Sequence, residues 1–350
     1  MSTIVFFCIP AYGHTNPTLG VVRELAARGH KVVYYSYDTM RKPIEAAGAA
    51  FVSCNAYDAE QRLSPKDGER LGRDLAFSTQ VLVDTTLALD NAILSDMRAL
   101  APDCIVADSM ALWGKLIAKK LDIPFVSSTT TFAFNRYSAK IMKQSPAQLF
   151  GMLVSMPKIG REIKHLQAAG YPVKSVLDII QNDENLDTIV YTSPEFQPCA
   201  DTFPTAHYAF VGPSIRPAEM RMEKSAQPLV YISLGTVVND HLAFYQQCVA
   251  ALADGPCRVI LSIGEQVKPA ALGTLPGNVE VHAHVDQIAV LQIADVFLTH
   301  CGMNSASEAL YFGVPLVMFP QTPEQGGVCT RVLELGAGVK LDKPEAASIR

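Results

Sequence analysis

At 350 residues the chain is too long for one hydrophobic core and matches two domains of ordinary size. Apolar residues make up 49% and charged residues only 18%, a balance that suits apolar grooves as well as a core. The net charge is -5 with no Lys/Arg run, so the electrostatic footprint of a nucleic-acid binder is missing, and no apolar run reaches the roughly 18 residues of a membrane span.

The chain opens on an apolar run, Ile4 to Ile9, the pattern of a buried parallel strand. It lacks a charged leader and turns at Pro10 to Gly13 into a helical pattern, so it reads as a first strand and not as a signal peptide. A second strand at Lys31 to Tyr35, a helix at Arg41 to Ala47 and a third strand at Ala50 to Ser53 continue a βαβ alternation. A long helix over Asp74 to Leu100, a strand ending at Asp108, a helix over Met110 to Leu121 and a strand at Phe125 to Ser128 follow. Thr129 to about Pro172 has scattered aromatics and Met without a clean period, as expected of helices and loops laid over the sheet edge. Its part from Thr131 to Met156 reads either as an apolar acceptor pocket or as ordinary packing. Thr188 to Thr192 and Tyr208 to Val211 close the first half.

Residues 213–228 are proline-rich and polar, a linker between a domain at 1–212 and one at 229–350. After it the alternation restarts with strands at Leu229 to Leu234, Arg258 to Ile263, Val279 to His282, Val296 to Thr299, Leu316 to Phe319 and Gly338 to Leu341. The expected class is α/β, two Rossmann-like doubly wound domains facing across a cleft, with ligands beyond the carboxyl ends of the strands. Glu345 to Arg350 reads as a helix start with no core-facing partner and no cap, so the second domain is expected to continue past the last residue. The eight cysteines form no CxxC pair and read as reduced, mostly buried thiols of a cytoplasmic enzyme.

Several residues carry chemistry in this frame. His14 follows the first strand at the entrance of the first helix, and Asp108 ends a strand that a doubly wound sheet sets beside it. The pair reads as a general base with its orienting carboxylate, or as an anion site and a helix cap. Gly235 and Thr236 end the first strand of the second domain, where Gly235 lets backbone approach a ligand. Neither half carries GxGxxG, which argues against a nicotinamide dehydrogenase. His300 ends a strand, and Gly302, Asn304 and Ser305 open a helix whose N–H groups suit an anion. Glu308 reads as a capping-box partner on the first turn or as an acceptor for ribose hydroxyls. Glu324 and Gln325 open the next helix and suit sugar hydroxyls, or are an ordinary helix start. His282 and His284 alternate on a strand face without a third ligand, so no metal is expected.

The stretch IPAYGHTNP at the front and the run from Val279 to Gln325 resemble the UDP-glycosyltransferase superfamily, and within it the bacterial macrolide-type glycosyltransferases; the resemblance extends over essentially the whole chain. It implies the GT-B fold, an acceptor-binding first domain, a nucleotide-sugar-binding second domain and inverting transfer without a metal or other cofactor. Carried onto this chain, His14 resembles the general base and Asp108 its partner. Gly235 and Thr236 match positions near the diphosphate, Gln287 one near the uracil or ribose, and His300 the diphosphate histidine beside Gly302, Asn304 and Ser305. Glu308 resembles the ribose glutamate, and Glu324 and Gln325 the pair that holds the sugar. His284 stands where the family has an aromatic stacking on uracil, and Asp286 replaces a proline and adds a charge near the base. The resemblance implies UDP-glucose or a related UDP-sugar as donor and a hydrophobic hydroxylated small molecule as acceptor. Secondary-metabolite glycosylation, including antibiotic inactivation, is the implied setting, by a monomer or homodimer without membrane insertion. Two other readings stay open: a UDP-sugar-processing enzyme of the same fold, epimerase type, and a non-catalytic nucleotide-sugar-binding protein.

Overall fold

In the computed structural model the described residues are 1–55, 70, 74–138, 146–175, 185–236 and 239–350, and they divide into two compact units, Met1–Ser214 and Ile215–Arg350. The first is built on β1 (Thr3–Phe7), β2 (Lys31–Ser36), β3 (Ala50–Ser53), β4 (Cys104–Asp108), β5 (Phe125–Thr129), β6 (Thr188–Val190) and β7 (Tyr208–Phe210). Their order across the sheet is β3-β2-β1-β4-β5-β6-β7, and every pairing is parallel. A parallel sheet is buried on both faces, and β1 obeys this: Val5, Phe6 and Phe7 are each at most 1% exposed. Phe6 joins Leu19 and Val22 of α1 (Tyr12–Ala27) and Ile44 of α2 (Arg41–Ala46) on one face. Val5 and Phe7 join Leu89, Ile93 and Met97 of α3 (Leu75–Leu100) and Trp113 of α4 (Leu112–Leu121) on the other.

Asp74 caps α3 by accepting from Phe77 N at 3.1 Å, so the long helix starts where the apolar period starts. The region without a clean period contains one long helix, α5 (Pro146–Ala168), which runs through Pro157. Its Ile159, Ile163 and Leu166 pack with Leu112 and Leu116 of α4. Residues 139–145 of the expected acceptor stretch lie outside the described residues.

The second unit has β8 (Leu229–Ser233), β9 (Arg258–Ser262), β10 (Val279–His282), β11 (Val296–Thr299), β12 (Leu316–Met318) and β13 (Gly338–Lys340), ordered β10-β9-β8-β11-β12-β13 and all parallel. Its helices are α6 (Leu242–Leu252), α7 (Gln287–Leu291), α8 (Met303–Tyr311), α9 (Pro323–Glu334) and α10 (Ala346–Ile349). Each unit thus has the Rossmann order, in which the chain reverses direction between its first and fourth strands and leaves a crevice at their carboxyl ends. Those strands are β1 and β4 in the first unit and β8 and β11 in the second.

The short helix α10 has the partner that its sequence did not reveal. Ile349 packs on the core cluster containing Phe244 and Cys248 of α6, Ala346 N donates to Gln247 Oε1 at 3.0 Å, and Arg350 Nε donates to Ala251 O at 3.2 Å. Residues 215–228 hold no helix or strand and are tied to the second unit by Arg216 on Asp286 and Lys224 on Asp295. No disulfide joins any of the eight cysteines, and five of them are buried.

Candidate active site

In the first unit the switch point brings His14 and Asp108 together. His14 sits in the first turn of α1, and Asp108 is the last residue of β4. His14 Nδ1 lies 2.9 Å from Asp108 Oδ2. The Asp108 side chain is fully buried while the imidazole keeps 28% of its surface. Asp108 Oδ1 accepts from Met110 N at 2.9 Å, which fixes the carboxylate plane. An ionised carboxylate only accepts, so Nδ1 carries the proton and Nε2 is the basic nitrogen.

A third residue, not read from the sequence, completes this group. Thr130, one residue beyond β5 and 5% exposed, places its Oγ1 3.0 Å from the same His14 Nδ1. A threonine at a strand end carries no chemical signature, and only the adjacency of β1, β4 and β5 gives it meaning. Beneath lie Cys8, Tyr34 and Tyr191. Burial pushes all three well above their ordinary pKa values, so they stay protonated and neutral.

In the second unit the equivalent crevice holds His300, one residue beyond β11. The residue is partly exposed, but its ring lies between the backbones of Gly235 and Gly302. A β-carbon on Gly235 would fall 2.6 Å from His300 Cε1, and one on Gly302 would fall 2.5 Å from Nε2. Desolvation there brings the ring down to about 4, against a hydrogen bond from the ring to the Ser233 backbone carbonyl. His300 is therefore a neutral imidazole at neutral pH. Gly302 caps α8 without a side-chain bond, and the helix that Asn304 and Ser305 open points its positive dipole end at this crevice.

Beside this cradle Gln287, Ser305 and Glu308 converge. Gln287 Nε2 donates to Glu308 Oε2 at 2.5 Å and lies 3.5 Å from Ser305 Oγ, while Tyr231 donates its hydroxyl to Gln287 Oε1 at 3.1 Å. Burial raises the pKa of Glu308, opposed by Gln287 and by the nearby Arg216 guanidinium. Glu308 is on the second turn of α8, not the first, and makes no capping box; the helix starts from Gly302, three residues before Ser305.

The capping box lies at α9 instead. Thr322 Oγ1 accepts from Gln325 N at 3.3 Å, and Gln325 Oε1 accepts from Thr322 N at 3.2 Å and from Gln321 N at 2.7 Å. The Gln325 carbonyl is thus engaged in the cap, and Glu324 beside it is exposed. Thr236 is exposed too, and the two residues after it lie outside the described residues. His284 is exposed, with Nε2 3.5 Å from Glu265 Oε1.

The charge expected at Asp286 is present and is paired within the second unit. Its side chain is 5% exposed, faces Arg216 Nη2 at 2.7 Å and accepts from Glu219 N at 2.5 Å and Met220 N at 3.2 Å. Burial alone would raise its pKa, but the Glu219 N–H and Arg216 outweigh it and hold it low. The carboxylate is an ion-paired anchor for residues 215–228. Of the expected acceptor stretch, Phe132 and Ala133 are buried, Phe132 edge-on to Phe196 at 5.2 Å, while Val154 and Met156 are exposed.

A family model described as UDP-glucoronosyl and UDP-glucosyl transferase matches residues 208–349. NDP-glycosyltransferase YjiC of Bacillus subtilis (strain 168) is 32% identical over 345 residues, spanning 96% of this chain and 84% of that protein. The chain belongs to the nucleotide-sugar glycosyltransferases of the GT-B superfamily. Two solved members are similar to this glycosyltransferase over nearly its full length. The glycotransferase of kitacinnamycin has a TM-score of 0.81 at 28% identity, covering 99% of this chain and 86% of its own. CalG4, the calicheamicin glycosyltransferase, has a TM-score of 0.80 at 31% identity, covering 100% and 88%. Among the described residues of the glycosyltransferase no three His, Cys, Asp or Glu side chains are grouped to hold a metal ion, and no helix is long and apolar enough to cross a membrane.

Proposed function

We propose that this glycosyltransferase is an inverting, metal-independent enzyme of the cytoplasm that moves a hexose, glucose first, from UDP to a hydroxyl of a hydrophobic small molecule such as a macrolide, flavonoid or other phenol. The observation that carries the reading is the His14–Asp108 pair at the switch point of the first sheet, Nδ1 to Oδ2 2.9 Å. It is the arrangement of a base whose tautomer a buried carboxylate fixes. His14 Nε2 takes the acceptor proton as the acceptor oxygen attacks the anomeric carbon. The bond from that carbon to the diphosphate breaks, and the imidazolium that forms is stabilised by Asp108. Attack opposite the leaving group converts an α-linked donor into a β-glycoside.

The first unit is assigned the acceptor, residues 213–228 the linker and residues 229–350 the donor. The diphosphate falls to His300, for whose ring Gly235 and Gly302 make room, to Thr236 and to the N-terminus of α8. Glu308 with Gln287 takes the ribose, His284 the base, and Glu324 with the remaining amide of Gln325 the sugar hydroxyls. Support for an apolar acceptor comes from Tyr12, Met110 and Tyr137, 48%, 42% and 42% exposed, which follow the same three strands as His14, Asp108 and Thr130. The two solved relatives, a glycotransferase of kitacinnamycin and a calicheamicin glycosyltransferase, agree with a small-molecule acceptor.

The test is mass spectrometry of a panel of phenols, macrolides and aliphatic alcohols incubated with UDP-glucose. A mass gain of one hexose, matched by released UDP, is expected. Conversion of UDP-glucose without any change in the panel would replace transfer by processing of the sugar nucleotide itself.

A further inference from the structure

His14 Nδ1 faces two oxygens, Asp108 Oδ2 at 2.9 Å and Thr130 Oγ1 at 3.0 Å. A ring nitrogen has one in-plane position for a hydrogen, and Asp108 requires that hydrogen to be present. The Thr130 oxygen therefore shares it, in a three-centre bond. One acceptor alone leaves the ring free to swing about the Nδ1–Oδ2 line, whereas two, on neighbouring strand ends, define the ring plane. Both strand ends are rigidly held. Asp108 and Ser128 are register partners of β4 and β5, and Ser109 N donates to Ser128 O at 2.9 Å. Thr130 is itself only 5% exposed, so its hydroxyl is held in place by packing rather than by solvent.

We infer that Thr130 is a positioning residue for the base: it fixes the plane of the His14 imidazole and, with Asp108, keeps Nε2 as the nitrogen that receives the acceptor proton. The inference rests on the proposed role of His14 as base. The hydroxyl also biases the ring's charge state. An oxygen accepting from Nδ1–H binds imidazolium more strongly than imidazole, because the charged ring is the stronger donor. The other titratable groups packed beneath the pair in this unit, Cys8, Tyr34 and Tyr191, are held neutral by burial and do not compete.

The test compares Thr130→Val and Thr130→Ser with the parent enzyme over a pH series. Valine keeps the shape and removes the oxygen; serine keeps the oxygen. Thr130→Val is expected to lower kcat about threefold to tenfold, the worth of one hydrogen bond. KM for the donor should stay close to the parent value, and the acid limb of the kcat profile should move to lower pH. Thr130→Ser should restore both. Parent kcat and an unmoved acid limb in Thr130→Val overturn the inference. Equal damage in the two variants overturns it too, by assigning the effect to the methyl group. Thermal melting verifies that each variant is folded, and Thr130→Ala takes the place of valine if the latter is not. His14→Ala separates this inference from the reading beneath it. If His14→Ala is inactive while Thr130→Val is unimpaired, only the inference fails; if His14→Ala turns over normally, the base assignment fails with it.

Discussion

Gly235 and His300 stand so close across the ends of β8 and β11 that a single β-carbon on Gly235 would fall 2.6 Å from the imidazole Cε1 and 2.7 Å from Nε2. The glycine at the end of one strand is what allows the histidine at the end of the next. Gly235 also has a φ of +79°, where an L side chain costs about 1–2 kcal/mol. Gly235→Ala is therefore expected to displace the His300 ring, weaken UDP binding at least about tenfold and lower the melting temperature. Gly302→Ala isolates the steric part. Its φ is -64°, open to alanine, but its β-carbon would meet Nε2 at 2.5 Å. Calorimetric titration with UDP should find both variants weakened, with the larger stability loss in Gly235→Ala. Undiminished binding in Gly302→Ala would remove His300 from the diphosphate site.

The neutral state of His300 has a proton-linkage consequence. Desolvation holds the ring at about 4, and its one N–H goes to the Ser233 carbonyl. To donate to a phosphate oxygen the other nitrogen must gain a proton, and a bound diphosphate raises the ring's pKa. UDP binding near neutral pH is thus expected to take up a proton and to tighten as pH falls. Titrations in buffers of different ionisation enthalpy measure the uptake, with His300→Ala as the reference that cancels the protons of UDP itself. Equal uptake in the two proteins would mean that the ring binds in its neutral form.

Glu308 predicts an exchange of stability for binding. Burial raises its pKa, so the folded unit loses stability as pH rises from the ordinary carboxylate range through that raised value. Glu308→Gln removes the buried charge and keeps an acceptor for Gln287. The variant should melt higher than the parent at neutral pH, with no advantage below the ordinary carboxylate pKa, and should bind UDP more weakly. A lower melting temperature at neutral pH would contradict the argument.

Asp108→Asn tests the carboxylate without emptying its place. The asparagine carbonyl still accepts from Met110 N, but the amide turned toward His14 donates to Nδ1 and selects the tautomer with hydrogen on Nε2. Turnover should fall by about 10²–10⁴, with UDP affinity unchanged. Steady-state kinetics beside UDP titration decides it, and a loss of UDP affinity would place Asp108 among the donor contacts.

Much of this was legible in the sequence because it is periodic or local. The alternation of apolar runs and helical patterns gave two Rossmann-like sheets, and strand adjacency then implied that His14 and Asp108 meet. What was hidden depends on contacts between distant residues of unremarkable type. Thr130 stands among threonines and serines that look alike until β5 is set beside β4. The partner of Asp286 is 70 residues away in a segment without secondary structure. The role of Gln325 in the cap turned on Thr322, a helix start whose signal is the same whether the amide holds a sugar or a backbone. Helix α5 was obscured by Pro157, which the helix accommodates.

The central claim is a division of labour: the base lies in the first unit, and the diphosphate is held in the second. His14→Ala tests it most directly, with turnover on a phenolic and an alcoholic acceptor measured beside UDP affinity. The account predicts unchanged UDP binding and a loss of about 10²-fold or more on the alcohol, with a smaller loss on the phenol, whose hydroxyl ionises more readily. Unchanged turnover on both acceptors would contradict it.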